Sequence, residues 1–254
     1  MKICVKHRRD ESVTLARATL HQIWKELLPH SSHTNNIHMM DENLCQAHSL
    51  GQQILEALPS YLRDDYFKHF PEALRPAALC LIIGGAGARS DLHADPFSWT
   101  GWNYLLEGCK VWRFYPNVSQ NTDVAFQSRR VPFGISDASD VACEPHQFCT
   151  IAGSWKSDVD VFASTSVGST LHHAVQCPGP NFERQPSAAH ATVPLEYVQK
   201  SGELVLFPGH WWHQVYHTSR TVGLAGQVMN DRNLRRVMEH IMEWCRLPLP
   251  PEDF

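Results

Sequence analysis

In Asp91-Leu92-His93-Ala94-Asp95 an imidazole and a carboxylate stand two residues apart, and on an extended strand that spacing sends both to one face. In a chain with 16 His and 26 Asp plus Glu such a pair arises easily by chance, so its meaning depends on a third donor. The block Gly202-Glu203-Leu204-Val205-Leu206-Phe207-Pro208-Gly209-His210-Trp211-Trp212-His213 supplies one: it reads as a strand, a Pro-Gly turn and an aromatic-flanked histidine entering a further strand. His93, Asp95 and His213 then make two imidazoles and one carboxylate on neighbouring strands. That donor set holds iron(II) from one side and leaves positions open for a cosubstrate and dioxygen. Zinc accepts the same residue types, in a closed tetrahedron or with one water, so these three residues alone leave both metals open.

Lys110 adds a second kind of chemistry. It sits in Glu107-Gly108-Cys109-Lys110-Val111-Trp112, within an otherwise apolar strand pair, where an inward ammonium needs an anion to offset desolvation. A dicarboxylic acid chelating a metal through one end supplies that anion with the other. The alternative is a lysine facing solvent at a hairpin corner.

The elements that must carry these residues follow from periodicity. Ala16, Leu20, Ile23, Trp24 and Leu27 recur at spacings of three and four, which predicts an amphipathic helix over 13–28, and a second helix is expected from about Leu44 to Leu58. The apolar run Ala77 to Ile83, closed by Gly84, Gly85 and Gly87, reads as a buried strand entering a tight loop. Strands are expected at Trp102 to Leu106, Val111 to Tyr115, Glu203 to Phe207, His213 to His217 and Thr221 to Val228, an antiparallel barrel. Leu234, Val237, Met238, Ile241, Met242 and Cys245 trace a C-terminal helix, preceded by Asn230 and Asp231 as caps and stopped by Pro248, Pro250 and Pro251. Its apolar stripe either docks on the barrel or pairs with a second subunit. The 254 residues thus read as one domain: a helical N-terminal part over 1–70, a barrel over 71–230 with an insertion at about 117–201, and the helix over 231–246. Five tryptophans, 99, 102, 112, 211 and 212, crowd the motif blocks and are expected to pack in the core.

A net charge of −4 supplies no global basic field, so nucleic acid is not a favoured partner. No run of apolar residues is long enough to span a bilayer, and the first 30 residues lack a secretory pattern, which predicts an intracellular chain, nuclear or cytoplasmic, without membrane contact. The eight cysteines form no Cys-x-x-Cys pair and are expected to be reduced thiols. Cys143, His146 and Cys149, with His172, His173 or Cys177, offer a second candidate metal site in the insertion; an ordinary surface loop explains the same residues.

Taken together, His93-Ala94-Asp95, the block Trp102 to Pro116 and the block Gly202 to His213 resemble the jumonji-C domain of 2-oxoglutarate oxygenases. The 17-residue step from His93 to Lys110, with Trp102 and Asn103 between, resembles the small hydroxylase branch that includes the jumonji-domain protein-lysyl hydroxylases. The resemblance covers roughly 71–233 and is dense in the named blocks. It implies a mainly β fold, a double-stranded β-helix or cupin-like jelly roll, with Fe(II) held by His93, Asp95 and His213. It also implies 2-oxoglutarate held through its distal carboxylate by Lys110, Asn103 beside that cosubstrate, Ser90 as a hydroxyl contact to its carboxylate, and Gln227 as a polar residue near the metal, with O2 as the second cosubstrate. Departures stand beside it: Ala225 and Gly226 replace bulkier or hydroxylated residues, His217 stands where many relatives have Asn, and 102 residues (111–212) separate Lys110 from His213.

The activity so implied is oxidative decarboxylation of 2-oxoglutarate coupled to hydroxylation of a protein or peptide side chain, lysine first. Demethylation of N-methyl lysine or arginine uses the same chemistry, and a non-catalytic cupin-like binding module is the reading from another class.

Overall fold

The computed structural model describes residues 3–9, 12–30, 35–46, 49–71, 75–116, 129–132, 153–157, 162, 194–245 and 247. Its strands are β1 (Ile3–Arg9), β2 (Ser12–Ala18), β3 (Asn35–Asp41), β4 (Cys80–Gly84), β5 (Leu92–Ala94), β6 (Thr100–Glu107), β7 (Cys109–Tyr115), β8 (Arg129–Pro132), β9 (Gly153–Ser157), β10 (Leu195–Lys200), β11 (Leu204–Phe207), β12 (Trp212–His217) and β13 (Thr221–Val228). They form two antiparallel sheets, a major one ordered β11-β6-β13-β4-β3-β1-β2 and a minor one ordered β10-β7-β12-β5-β9-β8. This is the expected jelly-roll arrangement, and the strands anticipated between Trp102 and Val228 all appear within a few residues of their expected limits.

The two sheets share an aromatic and aliphatic core in which Trp112 and Phe114 of β7 meet Val205 and Phe207 of β11 and Val215 of β12. The outer face of the major sheet is covered separately, with Leu62, Leu79, Trp102, Leu224 and Val228 in one cluster and Ile23, Ile37, Met39 and Ile83 in another. Chain reversal from β6 into β7 occurs at Gly108, whose φ of +93° suits glycine. A side chain there would also meet the Arg220 carbonyl at 2.1 Å.

The N-terminal part departs from expectation. Instead of a helical segment over 1–70, β1, β2 and β3 extend the major sheet beyond β4. The helix expected over 13–28 begins only at Leu20, after Ser12 to Ala18 have paired along their whole length with β1. Pairing with β1 along its whole length overrides a weak helical period, and β-branched Val13 and Thr14 favour the extended form. What remains helical is α1 (Leu20–Gln22), opened by a Thr19–Gln22 capping box and continued by a π-helical turn, Ile23–Leu27, and a 3-10 turn, Leu28–His30. The second expected helix is divided into α2 (Asn43–Gln46) and α3 (Ser49–Ala57), followed by a short α4 (Ser60–Arg63).

The C-terminal helix α5 (Leu234–Trp244) docks within the chain: Val237 is buried with Phe67, Phe97, Trp99 and Met229, and Met238 and Ile241 pack against that cluster. Within the expected insertion, β8, β9 and β10 are short strands added to the minor sheet, and Phe162 is fully buried against Tyr216 and Arg113. The candidate cluster of Cys143, His146, Cys149, His172, His173 and Cys177 lies outside the described residues.

Candidate metal centre

β5 pairs with β12 through a single register match, His213 opposite His93, so the two imidazoles face one another with ring centroids 4.2 Å apart. Each ring is oriented by its own backbone. His93 Nδ1 lies 2.8 Å from the Asp91 carbonyl and His213 Nδ1 lies 3.0 Å from the Trp211 carbonyl. A carbonyl can only accept, so both Nδ1 atoms carry the hydrogen and both Nε2 lone pairs are free to bind a metal. This is the tautomer that ligating histidines need, fixed here by main chain two residues upstream in each case.

Asp95 completes the set. Its Oδ1 lies 3.6 Å from His93 Nε2, while Trp99 Nε1 donates to its Oδ2 at 3.4 Å. Donor atoms of His93, Asp95 and His213 all lie within 4.8 Å of one another. The three converge from one side. Room for them depends on Gly101, where a Cβ would fall 3.0 Å from Asp95 Oδ2 and 2.1 Å from the Phe207 ring.

Burial differs among the three candidate ligands. His213 is almost wholly enclosed, with Phe207, Trp112 and Phe114 around its ring at 4.6, 5.9 and 6.0 Å. That burial, with His93 beside it, lowers its pKa to about 4, so at neutral pH it is the uncharged imidazole that a metal requires. The side chains of His93 and Asp95 retain 24% and 19% exposure, which places the open side of the centre toward them.

Two turns next to the candidate ligands are conformationally unusual. Asp95 leads into the turn Pro96–Ser98, where Phe97 and Ser98 have φ of +52° and +55°, and His210, three residues before His213, has φ of +62°. Non-glycine residues in this region carry strain that a fold keeps where it serves a site. The turns touch: a Cβ on Gly209 would lie 2.2 Å from the backbone carbonyl of Ser98. His210 Nε2 is 2.8 Å from His240 Nδ1, which ties the second turn to α5.

Deeper in the barrel Lys110 is 1% exposed, and its Nζ donates to Asn103 Oδ1 at 3.3 Å. Burial pushes its pKa down to about 8, and it takes part in none of the ion pairs among the described residues. The nearby Cys80 thiol, itself buried, is held protonated and provides no counter-charge. Around the ammonium the fold keeps space: a Cβ on Gly223 would lie 3.2 Å from Nζ and 3.6 Å from Asn103 Oδ1. His217 pairs with Lys110 across β12 and β7 and hydrogen-bonds Thr221 Oγ1. Its pKa is held well below the usual value by burial, by Lys110 and by His38, so Lys110 is the cation of this pair at neutral pH. A monoanionic group at this point would satisfy Lys110.

The remaining expected residues stand differently. Ser90 is tied to β12, its Oγ accepting from Val215 N at 3.0 Å and its carbonyl accepting from Gln214 Nε2 at 2.8 Å. Gln227 lies opposite Gly101, but its amide donates to the Ala77 carbonyl at 2.6 Å and it borders a cavity of about 350 Å³ with Gln52, Leu55 and Trp102. The structure thus brings His93, Asp95 and His213 together, and Lys110 with Asn103, and commits Ser90 and Gln227 to backbone partners. Sequence reasoning did not single out Gln199, a fully buried glutamine on the otherwise exposed β10, because nothing in its polar neighbourhood marks it.

Comparison with known proteins agrees with the fold. A family model described as a cupin-like domain matches residues 8–232. The chain is 25% identical over 235 residues, 87% of its length, to a human protein named 2-oxoglutarate and iron-dependent oxygenase JMJD4 and covers 46% of it. It is 26% identical over 187 residues, 72% of its length, to the Arabidopsis thaliana protein named arginine-specific demethylase JMJ22 and covers 29% of it. Over 181 residues, 71% of its length, it is 24% identical to the Caenorhabditis elegans protein named bifunctional arginine demethylase and lysyl-hydroxylase psr-1, covering 37%. The chain therefore spans less than half the length of these relatives. Among the described residues no helix is long and apolar enough to cross a membrane.

Proposed function

The chain belongs to the cupin-like domain family, and on that premise we propose that it is an iron(II)- and 2-oxoglutarate-dependent oxygenase of the jumonji-C kind that hydroxylates a protein side chain. The observation that carries this reading is the convergence of two imidazoles and one carboxylate, their donor atoms within 4.8 Å, in an interior that also holds a buried lysine hydrogen-bonded to a neutral amide and in none of the ion pairs among the described residues. A structural zinc explains the first half of that arrangement and leaves the second half, a costly buried ammonium, without purpose. Relatives named as 2-oxoglutarate and iron-dependent oxygenases support the same cofactors.

The residues present fit those groups. His93, Asp95 and His213 would hold the metal, and Lys110 with Asn103 would hold the far carboxylate of the dicarboxylic acid. When bound, iron and 2-oxoglutarate would supply dioxygen activation: 2-oxoglutarate would be converted to succinate and carbon dioxide, with one oxygen atom of O2 in succinate and the other in the hydroxyl that replaces a substrate C–H hydrogen. The protein's own share is positional. Asp91 and Trp211 carbonyls fix the imidazole tautomers, Trp99 orients the carboxylate, and Trp112, Phe114 and Phe207 keep water from the His213 side. Substrate approaches from the exposed side of His93 and Asp95.

Lysine is the substrate residue we place first, because the His93 to Lys110 spacing resembles lysyl hydroxylases and one relative bears that name. The names of other relatives favour a second reading, N-methyl demethylation of arginine or lysine. The test is succinate formation by anaerobically prepared protein given Fe(II), 2-oxoglutarate and oxygen, followed by peptide screening. A one-oxygen mass gain on unmodified peptide supports hydroxylation; formaldehyde from methylated peptide supports the second reading. Neither succinate nor binding of iron and 2-oxoglutarate would leave a cupin-like binding module.

A further inference from the structure

On β10 the exposed residues Leu195 to Val198 and Lys200 surround one that is fully buried, Gln199. Its side chain spends its hydrogen-bonding capacity on three separate segments. Nε2 donates to the Asn103 carbonyl on β6 at 3.0 Å and to the Glu203 carbonyl in the turn before β11, also at 3.0 Å. Oε1 accepts from the indole Nε1 of Trp112 on β7 at 2.9 Å. β6 belongs to the major sheet and β7 to the minor, so one amide ties the two sheets together where they close over the barrel interior.

The partners matter more than their number. Asn103 is the residue whose side chain receives the Lys110 ammonium, and in the β10–β7 pairing Gln199 lies opposite Lys110 itself. Trp112 stacks on Phe114 at 5.3 Å with the planes 7° apart, and its ring lies 5.9 Å from that of the ligand His213. A buried amide with both N–H groups and its oxygen satisfied has one low-energy orientation, and breaking any of the three bonds leaves a buried polar group unpaired. We infer that Gln199 is a positioning residue for the cosubstrate end of the site, holding the Asn103 backbone and the Trp112 ring so that Lys110 meets the distal carboxylate in register. It acts through Asn103 and Trp112 and touches neither metal nor cosubstrate. The inference rests on the 2-oxoglutarate reading proposed above.

Leucine at 199 keeps the volume and removes all three bonds; glutamate keeps the acceptor for Trp112 and removes both donations. The experiment measures anaerobic binding of Mn(II) alone, then of 2-oxoglutarate to the Mn(II)-loaded protein, by calorimetry, for the native full chain, Gln199→Leu, Gln199→Glu and Trp112→Phe. Succinate formation gives KM and kcat for the same set. The expected result is a loss of 2-oxoglutarate affinity of about tenfold or more in both Gln199 variants and a smaller loss in Trp112→Phe, with Mn(II) affinity held within about twofold. KM for 2-oxoglutarate should rise in step while kcat changes little. Should Gln199→Leu fail to fold, Gln199→Glu and Trp112→Phe decide the matter. Unchanged 2-oxoglutarate affinity in a folded Gln199 variant overturns this inference while leaving the proposed function standing. Equal losses of Mn(II) and 2-oxoglutarate affinity overturn it too, by showing a merely structural role. A native chain that binds Mn(II) but no 2-oxoglutarate overturns both.

Discussion

Lys110 and Asn103 reach each other inside the barrel from two strands joined at Gly108, ammonium to amide oxygen at 3.3 Å, with 1% and 2% of their surfaces exposed. A neutral amide offsets little of the desolvation of a buried ammonium, so the ligand-free fold bears a cost that an anion would relieve. The displacement of the Lys110 pKa from 10.5 to about 8 corresponds to about 3 kcal/mol at neutral pH. Replacing the residue by methionine should therefore separate stability from function. Lys110→Met is expected to raise the melting temperature of the ligand-free protein while abolishing 2-oxoglutarate binding, as scanning calorimetry and titration calorimetry would show. A destabilised variant would mean that Lys110 has a structural partner that the buried-cation argument omits.

The same shift sets a pH dependence whose sign can be worked out. Since the folded-state pKa is depressed, the unfolded chain binds more protons between about pH 8 and 10.5, and stability from this group rises with pH across that window and is lost as pH falls through about 8. Cosubstrate binding runs the other way, because the distal carboxylate requires the ammonium. Affinity for 2-oxoglutarate should be level below about pH 8 and then fall by about tenfold per pH unit above it. Titrations at half-unit steps check this; a level profile to pH 9.5 would sink the assignment of Lys110 to the anion.

Metal binding should appear as a gain in stability that depends on one partly exposed carboxylate. Iron(II) or Mn(II) at about a hundredfold excess over Kd contributes about 2.7 kcal/mol, or about 5–10 °C for a chain of this size. Asp95→Ala should eliminate that gain while altering the metal-free melting temperature little, because its side chain keeps 19% exposure and is packed less tightly than His213. A metal-induced shift that survives in Asp95→Ala would point to ligands elsewhere.

The candidate metal and anion residues were legible from their types and spacing. A His-x-Asp on a strand gains meaning from the Pro-Gly-His-Trp-Trp-His turn that supplies a third donor, and a lysine amid apolar residues is costly in a core; the structure brings His93, Asp95 and His213 together and pairs Lys110 with Asn103. The barrel strands were legible from short apolar runs between turn residues. The N-terminal strands were not, since Ser12 to Ala18 is half of a hairpin whose other half determines its state, and a helical spacing from Ala16 to Leu27 crosses the true boundary at Thr19. Ser90 and Gln227 came from resemblance alone, and here both hydrogen-bond to backbone. Gln199 had no local signal, because its three partners lie 4, 87 and 96 residues away.

The Pro96–Ser98 turn, entered from Asp95, touches the Gly209–His210 turn that leads to His213, and whether this contact governs the spacing of the two side chains can be tested with a single methyl group. A Cβ at position 209 would fall 2.2 Å from the carbonyl carbon and oxygen of Ser98 and 2.3 Å from its Cα, backbone atoms that no rotamer change can move aside. Gly209→Ala is therefore expected to push apart the two segments bearing the candidate ligands Asp95 and His213. Mn(II) affinity measured by titration calorimetry is expected to fall on the order of tenfold or more, with the far-ultraviolet circular dichroism unchanged. Gly202→Ala is the control: it also strains the backbone, at φ +87°, by about 1–2 kcal/mol, but nothing lies within 4 Å of its Cβ. That variant should lose stability and keep its metal. If both variants lose metal to the same degree, general loosening of the fold explains the effect and the coupling of the two turns is refuted.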